Sequence, residues 1–330
     1  MRRLARAISL LPLVLVAGLA IGLAIAGRIS THDSVTVPST ATRTLSSPSP
    51  TAGDPTASPT ATATPTATPT TTPSPTSSAN ANDAVEMLRV HNELRGAVGA
   101  PAVREDRRVT TAAQRHAEYL AQNNALGHDE TVGAPGFTGA SVRDRLDAQG
   151  YTDANASEVA TSFGSGTDGV RSLWVLPYHR LGLMHPHAVV AGWGHAVNAG
   201  RTVTVGVIVY DFAAQAPDRV RTPAADQRVA GTYSGEEVPE VLPSGAARPV
   251  GYPIMVVYSG ARPVDLRNAR ITDANGRDLA YHVVPQLYER DYVAIIPATP
   301  LAPGTRFRVR LDLSVAGGDV TEEWEFESER

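Results

Sequence analysis

Residues 47–78 are the strongest constraint on what this chain can fold into. Thirty of those 32 residues are Ser, Thr, Pro or Ala, eight of them proline, and only Gly53 and Asp54 break the composition. Such a segment has no apolar side chains with which to bury a core, so it is expected to stay disordered with a polyproline-II bias. Extended at about 3.1 Å per residue, it reaches on the order of 100 Å. The tract therefore separates a short N-terminal segment from a long C-terminal one, with a linker expected over 34–81.

The N-terminal segment reads as an export address. Arg2, Arg3 and Arg6 stand before an uncharged apolar run over 8–27, which Arg28 closes. A basic segment ahead of an apolar one keeps its charged end on the cytoplasmic side. About 20 apolar residues suffice to span a hydrocarbon core of roughly 30 Å. Ala24-Ile25-Ala26 also offers a small-x-small cleavage site. Residues 1–28 are thus a retained membrane anchor or a signal peptide, and in both cases the rest of the chain is extracytoplasmic. The tract then reads as a stalk, with threonines suited to O-glycosylation.

Composition narrows the chemistry. The 330 residues include no cysteine, and all 29 cationic side chains are arginine. A thiolate nucleophile, a disulfide framework and an iron–sulfur cluster are excluded, as are lysine Schiff bases and the P-loop lysine. The formal charge is −4; the first 81 residues carry +3, which leaves −7 for the rest. That balance gives no cationic face for nucleic acid.

Residues 82–214 carry helical and strand periods in turn. Asp83 and Glu86 have the spacing of a capping box at the start of a helix whose apolar face is Val85, Leu88, Leu94 and Val98. After Pro101, Val109, Ala112, Ala113, His116 and Leu120 form a second stripe that ends near Asn123-Asn124. Shorter helices are expected over 141–149 and 168–175, with a helical turn after Pro177. Strands are expected over 157–162, 188–197 and 202–212, the last two joined by the hairpin turn Asn198-Ala199-Gly200. The class is α+β.

These residues also carry a family resemblance. His91-Asn92 with Arg95, then Gly127-His128, Gly150-Tyr151, Glu158, Trp174, Pro177-Tyr178-His179-Arg180 and Gly192-Trp193-Gly194 succeed one another as in the CAP superfamily. Its members are the cysteine-rich secretory, antigen-five and pathogenesis-related proteins. The resemblance implies an α-β-α sandwich with a ligand-binding cleft. It places His128 as the first cleft histidine, Glu158 as the first glutamate and His179 as the second histidine. The second glutamate is missing, because Val175-Leu176-Pro177-Tyr178 come directly after Trp174. Two imidazoles and a carboxylate make an open three-ligand set for zinc, so His128 and His179 are the metal candidates. The alternative places His128 in a loop against a backbone carbonyl and His179 at the cap of a turn. His185-Pro186-His187 reads as a solvent-exposed turn.

Beyond residue 220 the helical period disappears. Strands are expected within 246–259, with Ile254, Val256 and Tyr258 on one face, over 270–273 and 277–283 around Ala274-Asn275-Gly276, over 293–296, over 306–313 and from Trp324. Six or seven short strands imply a β-sandwich over 220–330, and 290–330 resembles bacterial immunoglobulin-like modules. Glu236-Glu237 and Glu322-Glu323 read as solvated strand edges. Three functions fit the whole. The first is an exported, membrane-tethered CAP-domain protein binding a small apolar or envelope-derived ligand. The second is a metal-assisted hydrolase of peptide or cell-wall substrates using His128, His179 and Glu158. The third is a structural or adhesive surface protein.

Overall fold

The computed structural model describes residues 76–330 apart from Ser165, Glu236 and Ala261, with side chains from Asp83 onward. The 8–27 run and most of the Ser/Thr/Pro tract lie outside the described residues. Among the described residues no helix is long and apolar enough to cross a membrane.

Helix α1 (Thr76–Ala97) starts seven residues before the expected Asp83 cap. Glu86 does not reach back to close a capping box; it pairs forward with Arg89, the Arg89 Nε lying 2.9 Å from its Oε2. The buried face is also rotated from the expected stripe. Ala84, Met87, Val90, His91, Arg95 and Val98 are buried, while Val85 is exposed. The apolar pattern misleads here because two polar residues occupy core positions, and each finds its hydrogen-bond partners inside the fold. Arg95 donates to the carbonyls of Pro101, Leu183 and His185 at 2.7, 2.6 and 3.2 Å. His91 Nε2 lies 3.0 Å from the Leu183 carbonyl, and its Nδ1 accepts from the Trp193 indole at 3.4 Å.

Burial pushes the His91 ring down to about 3, with the Arg95 charge acting in the same direction. Between that value and the ordinary 6.5, the unfolded chain binds a proton that the folded chain refuses. Stability contributed by the neutral ring is therefore complete above pH 6.5 and is lost as the pH falls toward 3. Chemical denaturation at pH 7.5, 6 and 5 is expected to show this decline. His91→Gln should lower stability at pH 7.5 by about 1 kcal/mol and flatten the acid slope; an unchanged slope would refute the assignment.

Helix α2 (Arg107–Gln122) matches its sequence stripe, capped by Asp106, whose carboxylate accepts from the Arg108 amide, and ended at Asn123. Helix α3 (Val142–Asp147) opens with a reciprocal Ser141/Asp144 capping box. Strand β1 (Asn155–Thr161), helices α4 (Thr167–Trp174) and α5 (Pro177–Met184), and strands β2 (Ala188–Asn198) and β3 (Arg201–Tyr210) complete the first layer set. The strands form one antiparallel sheet in the order β1-β3-β2. Ala199 and Gly200, both at positive φ, make the β2–β3 turn. On one sheet face, Ala160, Val203, Val205, Val207 and Val209 pack against α2 and α3. On the other, Val159, Trp193 and Ile208 pack with α1, α4 and α5. This is the α-β-α sandwich.

Eight strands complete the chain: β4 (Arg219–Thr222), β5 (Arg228–Val229), β6 (Ile254–Tyr258), β7 (Val264–Asp273), β8 (Tyr281–Val283), β9 (Tyr292–Pro297), β10 (Arg306–Val315) and β11 (Gly318–Ser328). They form two sheets, β4-β6-β9-β8 and β5-β11-β10-β7. Ile254, Val256 and Tyr258 face Phe307, Val309, Leu311, Trp324 and Phe326 across a common core, which makes a β-sandwich. The hairpin expected around Ala274-Asn275-Gly276 is only begun. A bridge joins Thr272 to Asp278, and the chain then crosses to the opposite sheet, where β8 pairs with β9.

Strand β6 is buried on both sides, and the alternation shows why. Its other face, Met255 and Val257, shares an apolar cluster with Trp174, Tyr178 and Leu181 of the α-β-α layers. The β-sandwich therefore docks on the first layers through a continuous core.

Candidate functional site

The sequence places His116 inside an apolar helical stripe, and the structure gives it a polar cage there. Its Nδ1 lies 2.9 Å from Glu130 Oε1, and its Nε2 lies 3.2 Å from the Gly127 carbonyl and 3.3 Å from Glu158 Oε1. Glu130 organises the loop after Gly127-His128-Asp129. Its carboxylate accepts from the Thr138 amide at 2.5 Å, the Thr138 hydroxyl at 3.0 Å and the Gly139 amide at 3.2 Å. Arg145, on α3, closes the cage. It donates to Glu158 Oε2 at 2.8 Å, to the His128 carbonyl at 2.9 Å and to the Gly139 carbonyl at 3.2 Å.

Glu158 is thus saturated. Its side chain is 2% exposed, with one oxygen against Arg145 and the other against His116 and His128. His128 is the half-exposed member, with Nδ1 3.2 Å from Glu158 Oε1. The buried cluster holds it twice, through this ring contact to Glu158 and through its backbone carbonyl to Arg145.

His179 is elsewhere. It sits in the first turn of α5, which packs on the opposite face of the sheet from α2 and α3. Glu158 shares the α2-facing side of β1 with Ala160, whereas Val159 faces the α5 layer. The partner of His179 is Glu237, from the connection between β5 and β6 of the β-sandwich. Glu237 Oε1 lies 2.6 Å from His179 Nδ1 and accepts from the His179 amide at 2.9 Å. Helix α5 has Leu176 at its N-cap and no side-chain cap of its own. Glu237 supplies one from 58 residues away, placing a carboxylate where free amides and the helix dipole favour it.

The set expected from the resemblance is therefore split: His128 meets Glu158, and His179 meets Glu237. This arrangement does not fit zinc. Both Glu158 oxygens are engaged, the two imidazoles belong to different layers, and among the described residues no group of three or more His, Asp or Glu is placed to hold a metal ion.

Three sequence readings need correction, in each case because residues remote in the chain pack over the position. His185 and His187 are buried rather than solvent-exposed. His185 Nε2 lies 3.2 Å from Asp291 Oδ2, and His187 Nε2 accepts from the Gly260 amide at 3.1 Å. Glu237 is buried on His179, and Glu322 is buried among Arg221, Arg219 and the Tyr258 hydroxyl. Neither glutamate is a solvated edge.

The functional-site residues that sequence reasoning misses are Glu130, Arg145 and Glu237, together with His116 as more than a stripe residue. A histidine within an otherwise apolar helix stripe is the usable signal for the cage. Glu237 has no local signal, since its partner is remote in the chain.

An open groove of about 620 Å³ lies apart from the cage, between Arg104, the 150–155 loop and the end of β3.

No curated protein matches the sequence. Among solved structures, an outer surface protein from Borrelia burgdorferi is similar at 15% identity and a TM-score of 0.34, over 39% of this chain and 92% of its own. An extracellular protein containing a SCP domain from Bacillus anthracis is similar at 18% identity and a TM-score of 0.35, over 44% and 45% of the two chains. CopC from Methylosinus trichosporium OB3b is similar at 18% identity and a TM-score of 0.23, over 33% and 88%. Residues 88–210 match the family model described as CAP, the cysteine-rich secretory protein family. That match runs from within α1 to the end of β3, across the α-β-α layers, and the chain carries a CAP domain there.

Proposed function

We propose that this is an exported, membrane-tethered CAP-domain protein that binds an envelope-derived ligand or partner. One observation carries the reading: the carboxylate of the expected cleft is spent in a buried cage, and its two histidines are held on different faces of the sheet. Glu158 is held by Arg145, His116 and His128, and His179 is held by Glu237. A general base must reach its substrate's proton, and a carboxylate with both oxygens engaged in a buried cage does not. The cage instead fixes the loop over 127–140. The basic N-terminus, the apolar run and the Ser/Thr/Pro tract support placement at the outer face of a membrane, with the tract as a stalk. The mixed polar lining of the groove favours an envelope-derived ligand over a small apolar one.

The test uses the full-length protein in mild detergent with isolated cell-envelope material. Co-sedimentation without release of soluble sugar or peptide is expected. Release of soluble fragments above a buffer control would replace binding with the hydrolase reading. A lack of co-sedimentation, with lipid retained on the purified protein, would replace the ligand by an apolar one.

A further inference from the structure

Two arginines line the open groove, and they are chemically unlike. Arg108 is fully used: Nε and Nη2 donate to Asp106 at 3.0 and 2.8 Å, and Nη1 donates to the Gly150 carbonyl at 3.1 Å. Its guanidinium lies over the Tyr151 ring, 4.6 Å from the centroid. It is wall. Arg104 has the opposite arrangement. Its backbone is sewn to the edge of β2, with its amide donating to the Val189 carbonyl at 3.1 Å and its carbonyl accepting from the Ala191 amide at 3.0 Å. Its guanidinium has no hydrogen bond or ion pair among the described residues. A second hollow of about 260 Å³ shares Arg104 and Val189 with the first. A fixed backbone thus holds an exposed planar cation, free of protein partners among the described residues, where the two hollows meet.

The floor adds an aromatic platform. Phe212 is 47% exposed, yet it is not loose. It stacks on Tyr210 with centroids 6.0 Å apart and packs against His185 and His187 at 5.7 and 5.5 Å. One face of a braced ring is left to solvent. On the rim, Thr152, Asp153 and Asn155 make no side-chain hydrogen bond among the described residues.

We infer that this trough binds a carboxylate-bearing oligosaccharide. The guanidinium fork of Arg104 matches a carboxylate in bidentate geometry. The exposed Phe212 face offers the flat apolar surface against which the C–H face of a sugar ring packs, and the rim side chains supply donors and acceptors for hydroxyl and amide groups. The volume falls within the range of about 300–1,000 Å³ typical of small-molecule sites. The assignment rests on the binding function proposed above and names its ligand class.

Calorimetric titration of the full-length protein tests it with three probes: an oligogalacturonate, a muramyl disaccharide and neutral chitotetraose. The first two carry the carboxylate on a uronic ring or a lactyl ether, so they separate the two sources of the same chemistry. Tighter binding of at least one acidic probe than of chitotetraose, by about tenfold or more, is expected. Arg104→Ala should weaken the acidic probe about tenfold, the loss of one charge-assisted bidentate pair, and Phe212→Ala should weaken both acidic and neutral sugars. Arg270→Ala, on the exposed face of β7, should change nothing. Undiminished acidic binding by Arg104→Ala, or equal binding of neutral and acidic sugars, overturns the assignment. The two levels of inference fail separately. If the wild type does not co-sediment with envelope, the binding function falls; if it does and Arg104→Ala co-sediments equally well, only the trough falls.

Discussion

Arg145→Ala is expected to destabilise the CAP domain by about 3–5 kcal/mol, the usual cost of removing one partner from a buried ion pair. The side chain is almost wholly buried and is the cation nearest both Glu158, at 2.8 Å, and Glu130, at 3.9 Å. Its removal strands two buried carboxylates and frees the carbonyls of His128 and Gly139. For a folded unit of this size the loss corresponds to a fall in melting temperature on the order of 10 °C. Arg145→Lys should recover only part of it, because an ammonium cannot reach three divergent acceptors as the planar fork does. Hydrogen exchange supplies a second readout: amides over 127–140, particularly Thr138 and Gly139, should lose protection before the strands do. A double variant with Glu158→Ala should lose less than the sum of the single changes, since the second substitution removes a charge that the first had orphaned. An Arg145→Ala protein melting within a degree or two of wild type would show that the cage does not hold the loop.

The contrast between α2 and α1 explains how much of this architecture is legible in the sequence. The α2 stripe is valine, alanine and leucine around a single histidine, so its period, cap and end are readable. In α1 the buried stripe includes His91 and Arg95, which a polarity pattern assigns to the surface, and the expected face is rotated accordingly. The β10 alternation predicts its strand to within two residues, because one face is core and the other is lined with arginines. Strand β8 is legible as a strand but not as a sheet switch, since its turn signal is the same for both outcomes. At the site, the resemblance places His128 and Glu158 together but does not reveal that Arg145 neutralises the glutamate. His179 lies across the sheet from them and pairs instead with Glu237, a residue outside the CAP match whose burial depends on how the β-sandwich docks. Local periodicity and motif order carry no information about such docking, and for the same reason the histidines at 185 and 187 read as exposed when they are buried.

Gly192→Ala and Gly194→Ala are each expected to cost about 3 kcal/mol, at the upper end of overpacking penalties, because the obstacle is main chain. A Cβ on Gly192 would lie 2.7 Å from the Thr110 Cα, and one on Gly194 would lie 2.5 Å from the Ala113 carbonyl carbon. Neither atom can turn aside as a side chain would. The two glycines are two residues apart on β2, about 6.6 Å, and the main-chain units they meet, Val109-Thr110 and Ala113-Gln114, are four residues apart on α2, about 6 Å. Strand and helix therefore run in step at close range, and only hydrogen fits between them. Gln114 pins the same contact, donating to the His195 carbonyl and accepting from the His195 amide, both at 3.0 Å. Trp193, between the glycines, points to the other face, where a Cβ on Gly206 would lie 2.6 Å from its ring. The Gly-Trp-Gly sequence is thus a packing device: two absences toward α2 and one large ring toward α1. Once a single alanine has lifted α2 from the sheet, the second alanine meets less resistance, so the double variant should fall short of the summed losses. Gly96→Ala, in α1 with nothing within 4 Å of the added methyl, is the matched control and should be neutral or slightly stabilising. Thermal melts of the four proteins decide the matter, and a Gly194→Ala variant as stable as Gly96→Ala would contradict the close approach of α2 to the sheet.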